Sequence, residues 1–333
     1  MQGFLSDQAG GIVDVLSTNN RKRTAPLAIP RRTLCGVVGF MRLALAFGCV
    51  MPIAGGLLAG RADAQETVVI KATRPFGAKT ATLAAELYRP AGRGPFPAVI
   101  LMHGCGGWQP AVLQALHTHA AQFVGRGYVV LNLDSFGPRG TSGGVVCESY
   151  DRLVDALNYR TNDAVDALRY LQSRTFVDPA RVFLIGQSNG GSVAVIAAKL
   201  ALTRSFRAIA AYYPWCGAFG APQVALMAPL IVVGGANDDW TPIDDCFKAR
   251  SVGAKLTVVR YPNAVHSFDV NIKVQRYLGK LVGFDKFAAE DSRARILAFF
   301  EEQQGRDAVD LVVRVQGVPP EMKPLVAVSA PGK

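Results

Sequence analysis

Histidine is scarce in this chain. The 333 residues hold four: His103, His117, His119 and His266. No cysteine pair has the C-x-x-C spacing of a zinc site either, so no metal site is expected, and nothing in the sequence calls for a cofactor. The sequence also lacks clustered charge. Its formal net charge is +11, but Lys and Arg are scattered singly. Nucleic-acid binding needs a basic stripe, ideally with aromatics between the charges, so that class is set aside. No internal repeat is visible, and the only loose composition is a C-terminal tail. What remains is a globular composition, 50% hydrophobic and 18% charged, with material for one large core or two modest ones.

From Leu34 to Gly60 the chain is almost free of charge, with basic residues before it and "RADAQ" after it. Basic start, apolar middle and the small-x-small pair Ala62/Ala64 are the parts of a secretory signal, with cleavage expected after Ala64. Residues 41–64 would make a complete signal alone. The expected product is periplasmic or secreted, without a stable membrane anchor. Cys35 and Cys49 leave with the signal. Cys105, Cys147, Cys216 and Cys246 remain, an even number that suits an oxidising compartment and allows three connectivities.

The mature chain alternates apolar runs with helical stretches. Buried strands are expected at "FPAVILMHG", "YVVLNLDSFG", "RVFLIG", "FRAIAAYYPW", "PLIVVGG" and "KLTVVRYPNA". Between and after them, "PAVLQALHTHAAQFVGRG", "YDRLVDALNYRTNDAVDALRYLQSR", "NGGSVAVIAAKLAL" and "SRARILAFFEEQQ" have the length and spacing of helices. Strands that are apolar throughout, separated by helices, predict an α/β domain: a mostly parallel sheet covered on both faces. One such domain is expected over 65–305, after an extension and signal at 1–64 and before a tail at 306–333. Residues between the signal and Pro95 read as a short lead-in.

Chemistry in such sheets collects at the carboxyl ends of the strands. There the chain offers "HGCGG" at 103–107, Asp134-Ser135, "GQSNG" at 186–190, Asn237-Asp238-Asp239 and His266. "GQSNG" fits G-x-S-x-G between a strand and a helix, the context of a nucleophile elbow. Its glycines leave room where side chains would strike the adjoining strand and helix, so Ser188 is the candidate nucleophile. The N–H of Asn189 then lies at a helix N-terminus, where a developing oxyanion is favoured. A serine hydroxyl needs a base, and His266, in a loop after the last core strand, is the candidate. His103 is the rival, although it sits where a loop brace would. His117 and His119 fall within a helix. The base needs an acid. Asp238 is preferred, Asp239 is the near rival, and Asp244 and Asp245 read as caps of the next helix. A second oxyanion donor is expected from the Cys105 N–H in "HGCGG". Pairing Cys105 with Cys147 and Cys216 with Cys246 would join loops on this same edge. Trp108, Phe136, Tyr213, Trp215 and Trp240 are candidate pocket walls or core aromatics, and Arg139 is a carboxylate binder or, preferably, a loop brace.

Taken together, "LMHGCGG", "DSFGPRG", "GQSNGG", "NDDWTP" and "HSFD" resemble the dienelactone hydrolase family of α/β-hydrolases, from about Pro95 into the last helix. The resemblance implies an α/β-hydrolase fold, with Ser188 as nucleophile, Asp238 as acid and His266 as base. The dienelactone hydrolases proper carry cysteine at the nucleophile, and a glutamate in the first loop where this chain has Gly104. With serine and glycine there, the expectation is an ordinary serine hydrolase acting on a small-molecule ester or lactone. An amide or acyl-peptide hydrolase using the same residues is the alternative, and a non-catalytic binding protein on this fold is the reading from another class.

Overall fold

A computed structural model describes residues 64–73, 82–141, 144–202 and 205–304. The expected signal and the tail at 306–333 lie outside the described residues, except Ala64, which begins the first strand. The elements in chain order are β1 (Ala64–Lys71), β2 (Thr82–Arg89), β3 (Phe96–Met102), α1 (Pro110–Val124), β4 (Val129–Asp134), α2 (Tyr150–Gln172), β5 (Val177–Gln187) and α3 (Asn189–Ala197). They continue with β6 (Ile209–Tyr212), β7 (Gln223–Leu226), β8 (Leu230–Gly235), β9 (Arg250–Gly253), β10 (Leu256–Tyr261), β11 (Gln275–Tyr277), β12 (Lys280–Val282) and α4 (Lys286–Gln303).

Eight strands form one sheet in the order β1-β2-β4-β3-β5-β6-β8-β10. From β4 to β10 every pairing is parallel, while β1 with β2 and β2 with β4 are antiparallel. The central strands are buried on both faces because each feeds two cores. In β3, Ile100 and Met102 point to one core while Val99 and Leu101 point to the other. Leu184 and its neighbours Phe183 and Ile185 divide in the same way in β5. α2 and α3 cover the first face, through Leu157, Leu168, Leu171 and Val193. α1 and α4 cover the second, through Leu116, Phe123, Ile296 and Phe300. This period of two across a pleated sheet, met by helices on each side, makes continuous apolar runs the right sequence for these strands.

Several boundaries differ from the sequence reading. The lead-in carries the β1–β2 hairpin, whose second strand alternates exposed or half-buried with buried positions. That alternation belongs to an antiparallel strand rather than a fully buried one. α3 stops at Ala197, short of the run's end at Leu202. α4 starts at Lys286, where the Asp285 carboxylate accepts the Ala288 N–H as an N-cap. Asp244 and Asp245 do not cap. They lie in the first turn of a short 3-10 helix, Ile243–Lys248, behind Pro242, and pair with Arg260 and Lys248. Both cysteine pairs are closed, Cys105 with Cys147 and Cys216 with Cys246. Among the described residues, no helix is long and apolar enough to cross a membrane.

Candidate active site

The site lies at the carboxyl ends of β3, β5, β6, β8 and β10. β5 ends at Gln187, and the chain turns through Ser188 into α3. Ser188 has φ 52 and ψ −114, a sparsely populated backbone state that persists only where surroundings enforce it. The enforcement is visible. The Ser188 N–H donates to the Tyr212 carbonyl at 2.9 Å, and the Ser192 N–H to the Ser188 carbonyl at 2.8 Å. The flanking glycines leave no room for side chains. A Cβ on Gly186 would stand 2.0 Å from the Gly190 oxygen, and one on Gly190 would stand 2.5 Å from the Met102 and His103 oxygens. The strand, turn and helix can close this tightly only with glycine there.

Ser188 Oγ lies 2.9 Å from His266 Nε2, and His266 Nδ1 lies 2.8 Å from Asp238 Oδ2. His266 and Asp238 are buried, at 2% and 4% exposure, while Ser188 is half-buried. With Nδ1–H donating to the carboxylate, Nε2 keeps a lone pair toward the serine hydroxyl. Two aromatic rings pack against the imidazole, Tyr213 edge-on at 4.7 Å and Trp240 tilted at 5.0 Å between ring centres. Asp238 is held as firmly. Its Oδ1 accepts the Trp240 and Thr241 N–H groups at 2.9 Å, and the Thr241 hydroxyl lies 2.9 Å from Oδ2 and 3.1 Å from His266 Nδ1.

The rival residues are employed elsewhere. Asp239 accepts the Leu281 N–H at 2.7 Å and pairs with Arg276. It thereby ties the β11–β12 hairpin beside the His266 loop, where the His266 N–H reaches the Leu281 carbonyl. His103 is fully buried. Its Nδ1 lies 2.7 Å from the Gly104 carbonyl oxygen, and the Ser135 N–H donates to its Nε2. Burial, aided by the Arg160 charge, holds His103 well below the usual imidazole range, so it is neutral, as a brace should be. His117 Nε2 contacts Glu86, and buried His119 contacts Asp269 at 2.8 Å. Arg139 forks onto Asp163 at 2.7 and 2.8 Å and donates to the Ser135 carbonyl, bracing its loop.

The loop after β3 presses on the serine: a Cβ on Gly104 would stand 3.3 Å from Ser188 Cβ and 3.9 Å from its Oγ. Cys105 follows, and its disulfide ties this loop to the 3-10 helix Val145–Glu148. Asn189 is the first residue of α3. Cys105 and Asn189, the expected oxyanion donors, therefore flank Ser188, and both line the cleft over it.

Three contributors were not singled out from sequence. Arg160 of α2 is fully buried and donates to the His103 carbonyl at 2.6 Å and to Asn189 Oδ1 at 2.7 Å. Burial lowers its guanidinium to about 10, which still leaves it charged at neutral pH. Asp269, also fully enclosed, accepts from Gln187 at 2.7 Å and Tyr213 at 2.5 Å and contacts His119. Burial opposes its charge, but these hydrogen bonds prevail and hold it below the usual carboxylate range. The same burial, with the Asp269 charge, pushes the Tyr213 hydroxyl well above its usual value. Thr241 is the third. Sequence signals existed for two of them: Arg160 falls on the apolar stripe of α2, and Thr241 stands three residues after Asp238, the spacing of a side-chain-to-backbone turn. Among the described residues, no group of three or more His, Cys, Asp or Glu side chains could hold a metal.

The dienelactone hydrolase family profile matches residues 83–304. No curated protein sequence matches the chain. Among solved structures, a Klebsiella pneumoniae protein provisionally described as a dienelactone hydrolase superposes with TM-score 0.54 at 17% identity, covering 72% of this chain and 99% of its own. Esterase 2 of Thermogutta terrifontis, with propionate bound, gives 0.51 at 17% identity over 72% and 94%. A puromycin hydrolase gives 0.54 at 16% identity, over 74% of this chain but 40% of its own.

Proposed function

The chain belongs to the dienelactone hydrolase family, whose members are hydrolases acting on ester bonds, and from that premise we propose that it is an exported serine hydrolase working through an acyl-enzyme on Ser188. The observation that carries the reading is the unbroken relay from Ser188 Oγ through His266 to Asp238, at 2.9 and 2.8 Å. As Oγ attacks the ester carbonyl, its proton passes to His266 Nε2. Asp238 stabilises the resulting imidazolium and keeps the ring in the right tautomer. The carbonyl oxygen becomes an oxyanion, met by the N–H groups of Cys105 and Asn189. Collapse breaks the bond to the leaving oxygen, which takes the proton from Nε2 and departs as the alcohol. Water then gives a proton to Nε2 and attacks the acyl carbon. A second collapse frees the carboxylic acid and restores Ser188.

Export is part of the proposal. Two disulfides fit an oxidising compartment,, and the signal-like segment at 1–64 supplies the route. The hydrolase domain then spans 65–305, and the mature chain begins at Gln65, which N-terminal sequencing of the exported protein checks. The same relay can cleave amides, but that alternative has fold likeness alone behind it, to a puromycin hydrolase and to a dipeptidyl peptidase 4 of Porphyromonas gingivalis. A binding protein with no chemistry has no physical need for three aligned partners.

The test is fluorophosphonate labelling of residues 65–333 beside Ser188→Ala. Label on the wild type alone is expected. A folded wild type that takes no label overturns the serine mechanism.

A further inference from the structure

Two clefts of about 210 Å³ each meet at Ser188, with Cys105 and Trp240 in the wall between them. The first contains His266 and Ser267 and is lined by Val112, Ile272, Tyr277 and Val282. The second contains Asn189 and Ser192 but not His266, and is walled by Leu153, Val154 and Leu157 of α2. Its mouth is rimmed by Tyr150 and Trp215, exposed at 66% and 42% and packed edge to face at 6.4 Å. Exposed aromatic surface rimming a concave site is a mark of apolar ligand contact. Among the described residues, no Asp, Glu, Lys or Arg lines either cleft.

We propose that the substrate is an uncharged ester with an apolar group on each side of the scissile bond, its acyl group in the α2 cleft and its alcohol in the His266 cleft. This rests on the serine-hydrolase reading. The assignment of sides follows from proton transfer. The leaving oxygen must take its proton from His266 Nε2, so the alcohol lies on the side that holds His266. The acyl group stays bonded to Ser188 after the alcohol leaves, and it takes the cleft that holds Asn189 and no histidine. The exclusion of charge follows from the linings. An ionised group brought into either cleft loses hydration and meets no opposite charge among the lining residues, so it is rejected or held outside,.

Two substrate series test this: p-nitrophenyl esters from acetate to octanoate, and butyrate esters of alcohols from methanol to benzyl alcohol. Val154 and Ile272 are both half-buried and far from the relay in role. Val154→Trp should lower kcat/KM for the longer acyl chains at least tenfold and leave the ranking of alcohols unchanged. Ile272→Trp should lower kcat/KM for the bulkier alcohols and leave the acyl ranking unchanged. Val154→Ala and Ile272→Ala should move the same preferences the other way, and they decide the matter if either tryptophan variant fails to fold. p-Nitrophenyl hemisuccinate should be cleaved at least tenfold more slowly than the pentanoate. Exchanged effects, both series moving together, or equal rates on the anionic ester would overturn the assignment. If Ser188 takes the fluorophosphonate but no ester in either series is cleaved, the substrate class fails while the nucleophile stands; without label, the reading of the site itself fails.

Discussion

Arg160→Met is the most informative single substitution. The buried guanidinium ties two loops together, and each carries one expected oxyanion donor. Its bond to the His103 carbonyl, at 2.6 Å, fixes the backbone two residues before Cys105. Its bond to Asn189 Oδ1, at 2.7 Å, fixes the residue that follows Ser188. Methionine fills much of the volume against Phe136, whose ring stands 4.7 Å from the guanidinium carbon, but satisfies neither oxygen. Leaving two buried acceptors without donors costs about 1–3 kcal/mol each. Removing a buried cation that has no carboxylate among these direct partners returns part of that cost. The net expectation is a loss of about 2–4 kcal/mol in denaturant unfolding, on the same principles. Deleting one oxyanion donor outright lowers kcat by about 10²–10³. Loosening both should cost somewhat less, about 10–10² in kcat, with KM within about threefold, because the donors act on the transition state rather than on bound substrate. Arg160→Lys keeps the charge but cannot fork onto both oxygens, and should recover stability better than rate. Steady-state kinetics on a chromogenic ester beside urea unfolding give all these quantities. If Arg160→Met lowers stability while kcat stays at the wild-type value, Arg160 is a structural residue only and the reasoning fails.

Other perturbations separate the parts of the site. Breaking the Cys105–Cys147 bridge with Cys147→Ser frees a loop closed over 42 residues, worth about 4 kcal/mol by chain entropy. A domain of this size should lose about 8–16 °C in Tm, and kcat should fall with it because Cys105 borders Ser188. A Tm drop with unchanged kcat would mean that the bridge does not hold the oxyanion loop. Thr241→Val removes the hydroxyl shared by Asp238 and His266 and should lower kcat several-fold with little change in KM; an unaltered kcat would show that the backbone N–H groups alone fix Asp238. Asp269 is held below its usual value, so it stabilises the fold at pH above its unfolded value near 4, and this contribution disappears as pH falls through the lower folded value. The stability gap between wild type and Asp269→Asn should therefore shrink below about pH 4; a gap that widens in acid would contradict the sign.

Much of the fold was legible because the parallel strands are buried on both faces. Such strands must be apolar throughout, and "AVILM" or "LIVVGG" has no other comfortable reading. The elbow was legible because its glycines answer collisions that any side chain would suffer. β2 is hard to read from sequence because it alternates: Leu83, Ala85 and Leu87 are buried while the residues between them are half-buried. A search for continuous apolar runs does not register that period. The β11–β12 hairpin is too short to show a strand period. Its strands are three residues each, and the Asp239 side chain, distant in sequence, holds it in place. The buried polar residues were hidden for a related reason. Arg160 and Asp269 are partnered across 29 and 82 residues, and no local pattern announces such partners. Even so, a cation on the apolar stripe of α2 is costly enough to have raised the question of what it serves.

The two departures from the family pattern, serine for cysteine and Gly104 for glutamate, are physically one change. A hydroxyl is a poor nucleophile unless its base is already in place. Here Oγ already stands 2.9 Å from His266 Nε2, and the space above Ser188 Cβ is left open by Gly104. A glutamate at 104 would begin with its Cβ at 3.3 Å from Ser188 Cβ. With that Cβ 3.9 Å from Ser188 Oγ, its charge would stand near the reacting atoms, where a second negative charge opposes the growth of an oxyanion,. A chain that adopts serine therefore needs a small, neutral residue at 104. Gly104 meets that need.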